Sequence, residues 1–184
     1  MNGPAPLFGS AMRERPTNVP AEQALLGAIL TNNKAFGRVE EILQPEHFYV
    51  PLHGAIFAAM RTLIWAGNVA DPVTLRPRFE NDPLLPLDMT AAKVFATLLG
   101  CMVGITNAAD YALAIRSAWF RRNLFDVCAE TADLCCMPGD RPDSALMEML
   151  ESRITRIASG SVEIQPTVQI LSLIHISEPT RLAL

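Results

Sequence analysis

The chain is short of lysine and of charged residues in general. Its lysines are Lys34 and Lys93, and charged residues make up 18% of the sequence, against roughly 25% in an average soluble domain. The net charge is −4, and no segment clusters the basic side chains that phosphate binding requires. The nearest approach is Arg116, Arg121 and Arg122, with carboxylates close behind. We interpret these arginines as a solvated helix face and do not expect this chain alone to bind DNA well.

Catalytic and metal-binding motifs are also missing. Neither lysine follows a glycine as in a P-loop, and GxSxG, HExxH and GxGxxG are absent. Glu40 and Glu41 are adjacent and point apart on a helix, and His47 and His53 have no partner visible in the sequence. The sequence therefore predicts no catalytic residue.

The four cysteines form no CxxC pair and do not cluster with the three histidines, so neither a metal nor a cofactor is predicted. We interpret the cysteines as small buried hydrophobes in a reducing compartment. No apolar run is long enough to span a membrane, and the first residues lack the pattern of a signal peptide. The cytoplasm is the expected location, with no membrane partner.

Hydrophobic periodicity predicts an all-α fold, in which a small globular helical bundle is followed by a long helical hairpin. Asn18 is expected to cap the first helix, and further helices are predicted at about 34–43, 52–66 and 89–99, with a short one after Asp71. The longest periodic segment runs from residue 106 to about residue 136, and a helix of about thirty residues would span about 45 Å. The predicted organisation is a flexible arm (1–17), a globular helical subdomain (18–105), a dimerisation hairpin (106–159), the start of a linker (160–170) and a non-native tail (171–184).

The apolar residues on the long hairpin helix exceed one narrow stripe. Either the preceding helices or a second copy of the chain must cover them, and the spacing leaves both possibilities open. The residues predicted to form an interface lie on both hairpin helices: Arg116, Trp119, Phe120, Leu124, Phe125, Cys128, Leu146, Leu150 and Ile154.

Several segments resemble the N-terminal domain of the DnaB family of replicative DNA helicases. They are PAEQALLGAIL at 20–30, FGRVEEILQPEHFYVPLHGAIFAAMRTLIWAGNVADPVTL at 36–75, and the hairpin segments at 107–134 and 144–159. The resemblance covers about residues 18–160. One departure is Gly54, since the family usually carries Arg after the Leu-His pair.

The resemblance implies a non-catalytic domain that pairs through the hairpin and builds a collar of three dimers on a ring of six ATPase domains. The collar recruits primase, and a helicase loader is a further candidate partner. In the family, ATP, magnesium and DNA are bound by the ATPase domain, which is expected to follow the linker.

The segment LSLIHISEPTR, residues 171–181, resembles an in-frame translation of a transposase sequencing adapter. Native sequence is therefore expected to stop near Ile170. Two alternatives to the helicase stay open: a stand-alone helical adaptor without a motor, for which a phage is a candidate source, and a DNA-binding helical regulator. A P-loop about 50 residues beyond the hairpin would select the helicase, whereas a stop codon would select the adaptor.

Overall fold

Helices account for the regular structure of the computed structural model, which describes residues 15–102, 104, 107–136 and 142–160. Within these ranges no strand occurs, and no helix has the length and apolar character needed to cross a membrane. The prediction of an all-α bundle followed by a helical hairpin is confirmed. The α-helices are α1 (Val19–Thr31), α2 (Pro51–Trp65), α3 (Pro72–Phe79), α4 (Ala91–Gly100), α5 (Ala108–Cys136) and α6 (Asp143–Ser159), and the 3-10 helices span Asn33–Arg38 and Pro45–His47.

Helix ends follow the local chemistry of the sequence. The side-chain oxygen of Asn18 accepts the Ala21 amide at 3.2 Å and caps α1. Asp71 caps α3 by accepting the amides of Val73 and Thr74 at 2.9 and 2.8 Å. Gly67 follows α2 with a φ of 75°, a conformation in which a side chain would be strained. The cap predicted at Asn18 and the helix start predicted after Asp71 are confirmed.

The α-helix predicted at about 34–43 is wrong. A 3-10 helix covers Asn33–Arg38 instead, and turns follow it. The side chain of Asn33 explains the difference, because it donates to the Ala70 carbonyl at 2.8 Å and accepts the Ala70 amide at 2.9 Å. These two hydrogen bonds to a residue 37 positions away hold the backbone in the tighter 3-10 conformation. Gly37, with its low helix propensity, does little to favour an α-helix instead.

The core lies between α1, α2, α4 and the first part of α5. Gly27 of α1 sits where a Cβ atom would fall 2.2 Å from the carbonyl oxygen of Leu98, so α1 and α4 meet backbone to backbone. Gly54 makes a similar approach, 2.6 Å from the Pro45 carbonyl oxygen, and an arginine would not fit there without a shift of the backbone. The fully buried large side chains are mostly on these helices: Phe36, Phe57, Phe95, Leu25, Leu26, Ile29, Leu43, Ile56, Met60, Leu75, Leu98 and Ile115.

The long helix α5 leaves this core about a quarter of the way along its length. Ala108, Ala112 and Ile115 are its buried members of the core cluster, and no later residue of α5 belongs to it. The division into arm, subdomain, hairpin, linker and tail stays a prediction. Residues 1–14 and 161–184, on which the arm, linker and tail mainly fall, lie outside the described residues.

Candidate interaction surface

The second half of α5 packs against α6 in an antiparallel hairpin. Arg153 of α6 pairs with Glu130 of α5, with Nη2 donating to Oε1 at 2.9 Å and Nη1 to Oε2. At the other end of α6, a Cβ atom on Gly160 would lie 3.0 Å from the ring of Trp119. Because residue 153 lies beside residue 130 and residue 160 beside residue 119, the two helices run in opposite directions.

Large apolar side chains remain exposed on the outside of this hairpin. Leu113, Phe120 and Leu124 follow i, i+7, i+11 spacing, which places them on one face of α5. Their face lies nearly opposite Ile115, which packs into the core. We call all the exposed large apolar residues of the two hairpin helices together the hairpin apolar face, which includes Phe125, turned about 100° from Leu124 around α5: Leu113, Phe120, Leu124, Phe125, Met147 and Ile154.

Most residues predicted for an interface are accessible in the single chain. Phe120, Leu124, Phe125, Cys128 and Ile154 are exposed, and Trp119, Leu146 and Leu150 are partly exposed. Their participation in an interface stays a prediction.

Arg116 is placed differently, because it is only 4% exposed. Arg122 is buried too, whereas Arg121 is exposed. The interpretation of these three arginines as one solvated face is therefore wrong for two of them. At about 100° per residue, Arg122 lies within about 20° of Ile115 around the helix axis and faces the globular helices, whereas Arg121 lies about 120° from Ile115. Arg116 lies close enough to His47 for its charge to act on that side chain.

The cysteines also depart from prediction. Cys128, Cys135 and Cys136 are exposed, and Cys101 is partly exposed. The interpretation of all four as buried hydrophobes is wrong for the single chain, because the part of α5 that carries three of them extends beyond the core.

A buried polar network lies where α5 crosses the rest of the fold. The guanidinium of Arg122 donates from Nη1 to the Pro16 carbonyl at 3.1 Å and from Nη2 to the His47 carbonyl at 2.9 Å. It also lies over the ring of Tyr49, 5.4 Å from the centroid. Burial lowers the pKa of Arg122, and the nearby Glu22 carboxylate opposes that effect.

Glu22 is the acidic member of this network and is 1% exposed. Its Oε1 accepts the Tyr49 amide at 2.6 Å, and its Oε2 lies 2.8 Å from Nδ1 of His53 and 3.4 Å from the Val50 amide. The carboxylate thus joins the N-terminal end of α2 to α1 through hydrogen bonds. Nothing local in the sequence reveals these partners, because they lie 27 to 31 residues away along the chain.

His47 packs beside this network, with its ring centroid 4.5 Å from that of Trp119. Its Nδ1 accepts the Gln44 amide at 3.1 Å, which requires an unprotonated nitrogen. Burial, and after it the positive charge of Arg116, lowers the pKa of His47 to about 4. His47 is therefore neutral at physiological pH and acts as a structural acceptor.

Within the described ranges, no group of three or more His, Cys, Asp or Glu residues is placed to hold a metal ion. An open groove of about 540 Å³ lies between α1, α4 and α5 and is lined mainly by apolar and amide side chains, with Cys101 and Tyr111 at its edge.

Comparison with known proteins matches residues 14–117 to the family model for the DnaB-like helicase N-terminal domain. The replicative DNA helicase DnaB of Rickettsia bellii is 34% identical over 157 residues, which cover 82% of this chain and 30% of that protein. The chain spans about a quarter to a third of the length of the curated relatives it matches.

Two solved structures share the fold. The N-terminal domain of DnaB helicase from Mycobacterium tuberculosis aligns with a TM-score of 0.68 at 24% identity, covering 78% of this chain and 99% of that one. The N-terminal domain of DnaB helicase from Helicobacter pylori, described together with its interactions with primase, aligns with a TM-score of 0.53 at 20% identity. That alignment covers 64% of this chain and 91% of the Helicobacter chain.

Proposed function

Since the chain belongs to the family of DnaB-like helicase N-terminal domains, we propose that it is the collar domain of a replicative DNA helicase. In this role it pairs with a second copy through the α5–α6 hairpin and recruits primase, and a helicase loader is a further expected partner. ATP hydrolysis and unwinding are assigned to sequence outside these 184 residues, which contain no P-loop. The observation that carries the proposal is the hairpin apolar face.

Pairing through this face has a physical reason. Six large apolar side chains are exposed on the two hairpin helices, whereas surface apolar residues on a monomer are usually scattered singly. On the first part of α5, the side opposite to them is already occupied by the globular helices. A second hairpin, with the same face turned inward, would remove these side chains from water and form a two-fold symmetric interface.

The oligomeric state tests the pairing. We expect light scattering across a dilution series to show a dimer at high concentration that dissociates to a monomer on dilution. A strict monomer at the highest soluble concentration would contradict the proposal.

Native cysteines can locate the interface within the same samples. Cys128 lies one turn after Leu124, beside the hairpin apolar face, and Cys136 ends α5. Both are exposed in the single chain. Alkylation followed by peptide mapping should therefore slow at Cys128, but not at Cys136, as the concentration rises into the dimeric range. Equal protection of both thiols, or of neither, would place the contact elsewhere.

Primase recruitment is proposed by analogy with the Helicobacter domain. The expected contact is the hairpin surface from Arg116 to Arg122 together with the tip at 133–142. Since Arg116 and Arg122 are buried, the accessible part of that surface on α5 reduces to the neighbourhood of Phe120 and Arg121 and to the end of α5. Residues 137–141 of the tip lie outside the described residues.

Calorimetry against the C-terminal helicase-binding domain of the cognate primase tests primase recruitment. We expect binding of modest affinity, because an incomplete collar contains a smaller fraction of the competent arrangement. The same preparation should hydrolyse no ATP above a blank. A folded dimer that binds no primase would refute recruitment and leave pairing intact.

A further inference from the structure

We propose that Arg122 is a positioning residue that sets the angle between the hairpin and the globular helices. The inference rests on the proposed function, because the angle matters most when hairpins pair and the globular helices must then take defined places around them. It concerns the junction at which α5 leaves the core.

The apolar contacts of α5 with the core end early. Ile115 is the last residue of α5 in the core cluster, and Cys136 ends the helix. At 1.5 Å per residue, this leaves about 32 Å of helix beyond the core cluster, although the ring of Trp119 still packs on His47 four residues after Ile115. A tilt of about 10° at Ile115 would then move the end of α5 by about 5 Å, which is enough to misplace the globular helices relative to a paired hairpin.

Arg122 holds α5 two turns farther along. Its two nitrogens donate to backbone carbonyls of two separate segments, Pro16 before α1 and His47 in the second 3-10 helix. The ring of Tyr49 lies under the same guanidinium. One side chain therefore ties three points of the globular part to α5, and the distance over which the helix can swing shortens to about 21 Å.

The chemistry of the contact favours arginine. The planar guanidinium reaches two carbonyls at fixed angles while it stacks on an aromatic ring, and the point charge of a lysine ammonium does neither. Arg122 is 8% exposed, and the buried carboxylate of Glu22 supplies the nearby negative charge. Of the neighbouring contacts, the ion pair of Arg15 with Asp126 lies at the surface, and the ring of Trp119 packs on His47 at a point three residues closer to the core than Arg122.

The test compares Arg122→Met with Arg121→Met, its exposed neighbour on α5. Spin labels at Arg78→Cys and Asp133→Cys, in the full chain with its native cysteines replaced, report the distance between α3 and the end of α5. We expect Arg122→Met to widen the distance distribution at least twofold, and Arg121→Met to leave it unchanged. Amide exchange of residues 47–50 should also accelerate at least tenfold in Arg122→Met only.

The dimer dissociation constant is measured on the same variants. A positioning role predicts less than a threefold change for Arg122→Met, because the hairpin apolar face is intact. Unchanged distances and unchanged exchange would overturn the proposal. If Arg122→Met does not fold, Arg122→Lys replaces it, and failure of both to fold would show a folding role and overturn the proposal as well. A monomeric parent chain would refute pairing, while the distance and exchange data would still decide the role of Arg122.

Discussion

Replacing Leu124 separates the pairing proposal from simple packing within one chain. Leu124 is the last member of the α5 stripe formed with Leu113 and Phe120, and it is 38% exposed in the single chain. If the hairpin pairs with a second copy, that remaining exposure disappears on association. If it does not, Leu124 is an ordinary surface leucine and its replacement has little effect on anything.

The magnitude follows from the exposed fraction. Full burial of a leucine contributes about 1.5–3 kcal/mol, so the part of Leu124 still in contact with water corresponds to about 0.6–1.1 kcal/mol. A symmetric dimer contains two such side chains, which makes about 1–2 kcal/mol, or a rise in Kd of between about fivefold and thirtyfold for Leu124→Ala. Leu124→Asp adds the desolvation of two unpaired charges and should raise Kd by more than about a hundredfold.

Sedimentation equilibrium measures Kd, and circular dichroism checks that each variant is folded. Leu99 on α4 provides a matched control, since it is the same residue type at 39% exposure and lies off the hairpin. Leu99→Ala and Leu99→Asp should leave Kd unchanged. A folded Leu124→Asp chain that still pairs as tightly as the parent would refute the reasoning.

Three further predictions concern stability. The pKa of His47 is lowered to about 4 from its ordinary value, so as the pH falls the unfolded state takes up the proton before the folded state does. The contribution of His47 to the free energy of unfolding should therefore be fully present above about pH 6.5. It should be lost as the pH drops toward 4, by about 2 kcal/mol after allowance for solvent screening. Urea titrations should show a shallower loss in His47→Asn, which keeps an acceptor for the Gln44 amide, and an equal loss would contradict the assignment. Gly54→Ala should destabilise by about 1–2 kcal/mol because its Cβ would meet the Pro45 carbonyl, whereas Gly100→Ala, with nothing within 4 Å of its Cβ, should be neutral or slightly stabilising in thermal melts. Glu22→Gln should lower the free energy of unfolding by about 2–4 kcal/mol, because the NH₂ group of glutamine would face one of the donors that the carboxylate now accepts. A change in melting temperature of under about 2 °C would count against the network.

The fold was largely predictable because its signals are local. Asn18 and Asp71 are capping residues placed directly before apolar periodic segments, and helices begin after both of them. The 3-10 helix at Asn33–Arg38 escaped prediction because its cause is not local: the Ala70 backbone that binds the side chain of Asn33 is 37 residues away. The same holds for Glu22 and His53, whose hydrogen bond joins α1 to α2.

The two neighbouring arginines of α5 show how more of the site could have been predicted. Ala108, Ala112 and Ile115 follow i, i+4, i+7 spacing, and continuing that face by another i+7 step leads to Arg122, not to Arg121. An arginine on a face that is otherwise buried must find acceptors there, because an unpaired buried charge is costly. The sequence could therefore have placed Arg122 inside the fold, though not named Pro16 and His47 as its partners. Removing Arg122 from the surface also narrows the candidate interface, since what remains accessible on this stretch of α5 is chiefly apolar, as pairing with another hairpin requires.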